Sequence, residues 1–173
     1  MPNCAWMVTL VALTLTACGA LRTSMVAKGS PADLQPDEGY LVVAVDTSAA
    51  VLQVDLTTDD ESSSAAIGPY SPPGDLLVLR VSAATWCATG VLFDVGGAGG
   101  AQREFGRNRV CTKVEPGTVA YFGNLNLSRQ VEKWQSVVRV VNRPAVARER
   151  LARNYPALMG LPGLPAGATP TAP

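Results

Sequence analysis

The 173-residue sequence contains no histidine. That excludes His-based catalytic triads, the two-His facial triad and nearly every His-containing metal site. Charge of either sign is not in excess, with 14 Lys and Arg against 14 Asp and Glu, so there is no electrostatic reason to invoke nucleic acid. Aromatic residues are sparse at 6%, yet hydrophobic residues reach 47%, which places the chain in the globular class. The length suffices for one ordinary domain and not for two well-built ones. A membrane-spanning apolar run is also missing. Ala5–Ala17 (AWMVTLVALTLTA) is an uncharged, mostly apolar stretch of only 13 residues. As a helix it would reach about 20 Å, short of the roughly 30 Å of bilayer hydrocarbon, but it suits the apolar region of a signal peptide.

That run ends in Leu15-Thr16-Ala17-Cys18, which resembles the lipobox of bacterial lipoproteins. The resemblance implies a signal peptide over residues 1–17 and lipidation of Cys18, which becomes the first mature residue. Such signals usually open with Lys or Arg, whereas the first basic residue here is Arg22. In the family, Asp after the lipidated Cys favours retention in the inner membrane. Gly19 stands there instead, which implies an outer-membrane protein facing the periplasm. Two or three acyl chains give stable anchoring where one would be marginal.

The rest of the chain divides by composition. Residues 18–36 have little periodicity and scattered Gly, Ser and Pro, and read as a flexible tether. Residues 37–158 alternate strand and turn signals. Residues 159–173, rich in Pro, Gly and Ala and uncharged, read as a disordered tail dispensable for folding. Tyr40–Val45 and Val51–Leu56 suggest a hairpin about Asp46–Ala50, followed by an acidic loop over Thr57–Ser64. Further strands are expected at Leu76–Val81, Val91–Val95, Phe105–Val114, Thr118–Leu127 and Trp134–Val141, with a glycine-rich turn at Gly96–Gly100. Strict alternation would place Val119, Tyr121, Leu125 and Leu127 on one face. One short helix is expected over Ala145–Asn154, with Pro144 in its first turn, a Glu149–Arg153 pair, and Val146 and Leu151 facing the core. The fold class that follows is mainly β: an antiparallel β-sandwich of prealbumin- or Ig-like kind with one short C-terminal helix.

Pro73-Gly74-Asp75-Leu76-Leu77 and the segment from Pro116-Gly117-Thr118 through Leu125 set a Pro-Gly turn before an apolar strand. This resembles prealbumin-like sandwiches in small bacterial lipoproteins, over residues 38–158. Those lipoproteins include accessory subunits of envelope machines, so the resemblance implies a membrane attachment and an envelope protein partner.

Cys4 leaves with the signal peptide and Cys18 carries lipid, so Cys87 and Cys111 remain. An even remainder in an oxidising periplasm suggests one disulfide. Two unpaired buried thiols, or a two-Cys metal site, are the alternatives. Alternation groups Cys111 with Arg109 and Lys113, so a bridge would lie on an outer face or at a bulge.

Other motifs read as structure. Gly96–Gly100 lacks a following Gly-Lys-Ser/Thr and a helix, so it is a hairpin loop and not a phosphate cradle. Asp59, Asp60 and Glu61 lack the alternating ligands and central Gly of a calcium loop. No serine sits in a Gly-x-Ser-x-Gly elbow. Charge is uneven along the chain: residues 18–99 hold ten acids and three bases, residues 100–173 four acids and eleven bases. Arg103, Arg107, Arg109 and Lys113 form one basic cluster; Arg143, Arg148, Arg150 and Arg153 form another. These either meet an anionic partner or neutralise the acidic half internally. The expected function is a lipid-anchored envelope protein with a binding or scaffolding role, no cofactor, no metal and no enzymatic activity. An envelope enzyme, or a secreted non-lipidated binding domain, is the alternative.

Overall fold

The run Tyr40-Leu41-Val42-Val43-Ala44-Val45 has no charged or amide side chain, so a strand made from it suits water on neither face. The computed structural model describes residues 23–48, 50–70, 74–94, 100–104, 109–130 and 135–164. It shows ten strands: β1 (Ser24–Met25), β2 (Glu38–Thr47), β3 (Val51–Thr58), β4 (Ser64–Ile67), β5 (Gly74–Ser82), β6 (Thr85–Asp94), β7 (Gly100–Glu104), β8 (Val110–Lys113), β9 (Val119–Gln130) and β10 (Gln135–Val141). Helix α1 (Pro144–Asn154) and a 3-10 turn over Pro156–Gly160 follow.

The first sheet has the order β1-β5-β2-β9-β10, and the second β4-β3-β6-β7, with β8 beside β7 on the same flank of β6. Strand β2 is therefore central and covered on both sides. Leu41, Val43 and Val45 enter the core between the sheets, with Leu56, Trp86 and Phe93 from the second sheet. Tyr40, Val42 and Ala44 enter a second core, where Leu151, Tyr155 and Leu158 cover the outer face of the first sheet. The protein is a mainly β sandwich with a helical layer on one side, as its alternating runs predict.

The β2–β3 hairpin does not form. β2 pairs antiparallel with β5 and parallel with β9, while β3 lies in the other sheet between β4 and β6. The physical reason is burial: an edge hairpin would leave one face of β2 in water, whereas a central place with a crossover covers both. The parallel β2–β9 pair also departs from a purely antiparallel sandwich.

Strand β9 changes face partway. Its register against β2 slips between Val42 and Val43, so that Phe122 is the extra residue. Before the slip, Ala120 and Phe122 face the inter-sheet core and Val119 and Tyr121 the helical side; after it, Leu125 and Leu127 face the inter-sheet core. The four residues expected on one face are thus split two and two. Gly123 permits the bulge: its φ is +117°, and a Cβ there would meet Val140 Cγ1 at 2.6 Å.

Helix α1 covers the expected span, and Arg153 reaches Glu149 at 3.0 Å. Its buried residues are Ala147 and Leu151, while Val146 is exposed. Five positions separate Val146 from Leu151, about 140° of helix rotation, so the two cannot share a face. Ala147 and Leu151, four positions apart and only about 40° past a full turn, can.

Both ends of the domain reach further than composition suggests. Within the expected tether, β1 pairs with β5, Val26 N–H donates to Val78 O at 2.9 Å, and Val26 and Leu34 pack on the second core. Within the expected tail, Met159, Leu161 and Leu164 join that core, and Val119 N–H donates to Pro162 O at 2.8 Å. Apolar side chains without periodicity dock here because a sheet face already awaits them. Ending the chain after Met159 is therefore expected to cost about 2–3 kcal/mol, from two half-buried leucines and one backbone hydrogen bond. Urea unfolding checks this; an unchanged midpoint would show that the segment contributes nothing. Residues 96–99, where a turn is expected, residues 105–108, Trp134, residues 165–173 and residues 1–22, which hold the expected signal peptide, lie outside the described residues.

Candidate functional site

Of the three cysteines singled out above, Cys18 lies outside the described residues, and the other two meet. Cys87 of β6 stands directly opposite Cys111 of β8, and their sulfurs are bonded at 2.03 Å with Cα atoms 4.0 Å apart. Trp86 and Ala88 point into the core, so the intervening Cys87 projects from the outer face of the second sheet, as the alternation argument requires. Cys87 is buried and Cys111 exposed. The bridge holds four-residue β8 to the long strand β6, and the reading as two unpaired thiols falls away.

The acidic loop folds on itself. Ser62 donates to Asp60 Oδ1 from its backbone N–H at 3.0 Å and from its hydroxyl at 2.7 Å. Hydrogen bonding from Thr58, then from Ser62, lowers the Asp60 carboxyl to about 2. The expected loop ends early, because Thr57 and Thr58 extend β3 and Ser64 opens β4.

The charge halves neutralise each other in part. Arg109 lies 3.3 Å from Glu61 and Arg143 3.8 Å from Asp46, each a basic-half residue on an acidic-half one. Lys113 and Arg153 instead pair locally, with Glu115 and Glu149. These pairs are exposed or half-exposed and contribute little to stability. Arg107 lies outside the described residues, and of Arg103 only the backbone is described.

Two of the clefts formed by the described residues open to solvent. One, of about 350 Å³, lies between the segment after β1 and the β2–β5 edge, lined by Met25, Ser30, Asp33, Tyr40 and Arg80 among others. Three contacts join polar groups at this cleft. Asp33 N–H donates to the Tyr40 hydroxyl at 2.9 Å, Arg80 Nη1 donates to Asp33 O at 3.4 Å, and Arg80 Nε sits 3.6 Å from the buried Glu38 carboxylate. The other, of about 420 Å³, is bordered by Ala83–Thr85 and Lys113–Pro116. The ionisable residues that line them are Asp33, Tyr40 and Arg80 in the first and Lys113 and Glu115, 3.2 Å apart, in the second. Among the described residues, no three Asp, Glu, His or Cys side chains gather as a metal site.

A third polar feature was not singled out from sequence. The β9 bulge brings Tyr121 and Asn124 to the helical side of the first sheet. Asn124 Nδ2 donates to Asp46 Oδ2 at 2.7 Å, the same oxygen that Arg143 approaches. Asn124 Oδ1 is buried without a hydrogen-bond partner among the described residues, and the buried Tyr121 hydroxyl lies near the Arg143 backbone without a well-formed hydrogen bond. Burial raises the Tyr121 phenol, against the pull of Arg143 and Arg150. Two polar atoms of this kind can bind a water or a small polar ligand. Asn124, the first polar side chain after the aromatic pair Tyr121-Phe122, was the available sequence signal.

No protein-family model and no curated protein matches the chain. Over 63% of its length the chain is similar to part of a solved crystal structure from Bacteroides fragilis, described as "a putative cell adhesion protein". The identity is 11% and the TM-score 0.39, and the match covers 46% of that protein, so the chain spans under half of its length.

Proposed function

We propose that this chain is a lipid-anchored protein of the bacterial cell envelope, held at the outer membrane, facing the periplasm and not an enzyme. Its sandwich binds or scaffolds another envelope component. The observation that carries this reading is the apolar run that ends in Leu15-Thr16-Ala17-Cys18, with Gly19 after it. The Cys87–Cys111 bridge supports it, since a structural disulfide suits an oxidising compartment outside the cytoplasm. The second reading is a secreted binding domain without lipid, which follows if Cys18 is not acylated.

Cys18→Ser separates the two. Loss of the acylation site should leave a longer precursor that is soluble or mislocalised, because cleavage follows acylation. Fractionation of that variant with the outer membrane, as for the unaltered protein, would refute the lipid anchor.

A further inference from the structure

The segment that follows Cys18 is fastened to the domain almost at once. Ser24 and Met25 pair with Arg80 and Leu79 of β5, and Val26 N–H donates to Val78 O at 2.9 Å. Gly29 N–H donates to Asn154 O at 2.9 Å, which ties the same segment to the end of α1. Six residue steps separate Cys18 from Ser24, so their Cα atoms lie at most about 22 Å apart. Acyl chains in the hydrocarbon leave Cys18 at the headgroup surface. The β1/β5 edge is therefore the part of the domain that its anchor brings nearest to the bilayer.

The surface at that edge suits such a place. Met25 is 60% exposed, the most exposed of the large apolar side chains among the described residues, and its unbranched thioether can enter the headgroup–acyl boundary. The Asp75 carboxylate on β5 would repel an anionic membrane, but Lys28 lies 3.5 Å from it. The opposite edge, β10, is four strand spacings away, about 19 Å.

Resting on the lipid-anchor reading above, we propose that the β1/β5 edge of the first sheet, with Met25 at its tip, is a membrane-facing surface. It lies against the phospholipid headgroups of the leaflet that holds Cys18. The domain is then oriented, with β10 and its exposed Arg139 turned away from that leaflet.

The test uses the full lipidated protein in vesicles of phosphatidylethanolamine and phosphatidylglycerol that carry a headgroup nitroxide quencher. A fluorophore is placed through Met25→Cys, through Lys28→Cys as a second position on the same edge, or through Arg139→Cys. Flotation of the vesicles reports the anchor; quenching reports the orientation. Several-fold stronger quenching at positions 25 and 28 than at 139 is expected. Equal quenching at all three, or stronger quenching at 139, in protein that floats would overturn the membrane-facing edge and leave the anchor intact. Protein that does not float would overturn the anchor itself, and this orientation with it.

Discussion

Trp86→Ala is expected to destabilise the domain by about 3–5 kcal/mol, the largest single-residue effect anticipated in this chain. Trp86 is fully buried between the two sheets, and its Nε1–H donates to Ser82 O at 3.1 Å. Truncation removes the ring from the inter-sheet core and leaves that carbonyl without its partner. Trp86→Phe keeps most of the volume and loses only the N–H, so about 1–2 kcal/mol is expected. Urea unfolding followed by circular dichroism distinguishes the two variants. Equal losses would mean that the hydrogen bond, and not the packing, makes Trp86 important.

Replacing Cys87 and Cys111 together by Ser is expected to lower stability by about 2–4 kcal/mol. The bridge spans a sequence separation of 24 residues, and a loop of that size accounts for about 3 kcal/mol of denatured-state entropy. The denaturant slope should also rise, because an unbridged unfolded chain exposes more surface. Strand β8 should suffer most locally, since it is short and shares its flank of β6 with β7. Its amides are expected to exchange faster than those of β2. A variant with unchanged midpoint and slope would show that the bridge adds nothing to the packing around it.

Local signals in the chain were accurate where the structure is local. Alternating apolar residues and Pro-Gly turns place β2, β3, β5, β9 and β10 to within a few residues, whereas only the C-terminal half of β6 is expected, at Val91–Val95. Pro144, the Glu149–Arg153 spacing and Pro156 bound α1. The two-residue β1, the Ala-containing β4 and β7 (Gly100–Glu104) were missed, because none carries a β-branched alternating pattern; the one β-branched residue among them is Ile67. The site residues divide in the same way. Cys87 and Cys111 were legible by count and compartment. The Asp46–Asn124 contact joins residues 78 positions apart across a parallel strand pair, and no short-range pattern announces it.

By itself, then, the sequence determined the mainly β class, the helix that follows Pro144, Cys87 and Cys111 as the candidate disulfide pair, and the tetrapeptide on which the proposed anchor rests. These depend on residue type and spacing within about ten residues, or on counting. Tertiary structure alone decided that β2 lies at the centre between β5 and β9, that β9 turns its face at Gly123, and that residues 24–34 and 159–164 belong to the folded domain. Each of those outcomes is a choice among non-local partners. It is settled by which arrangement buries both faces of an all-apolar strand, and that quantity exists only once the two sheets and the helical layer are assembled.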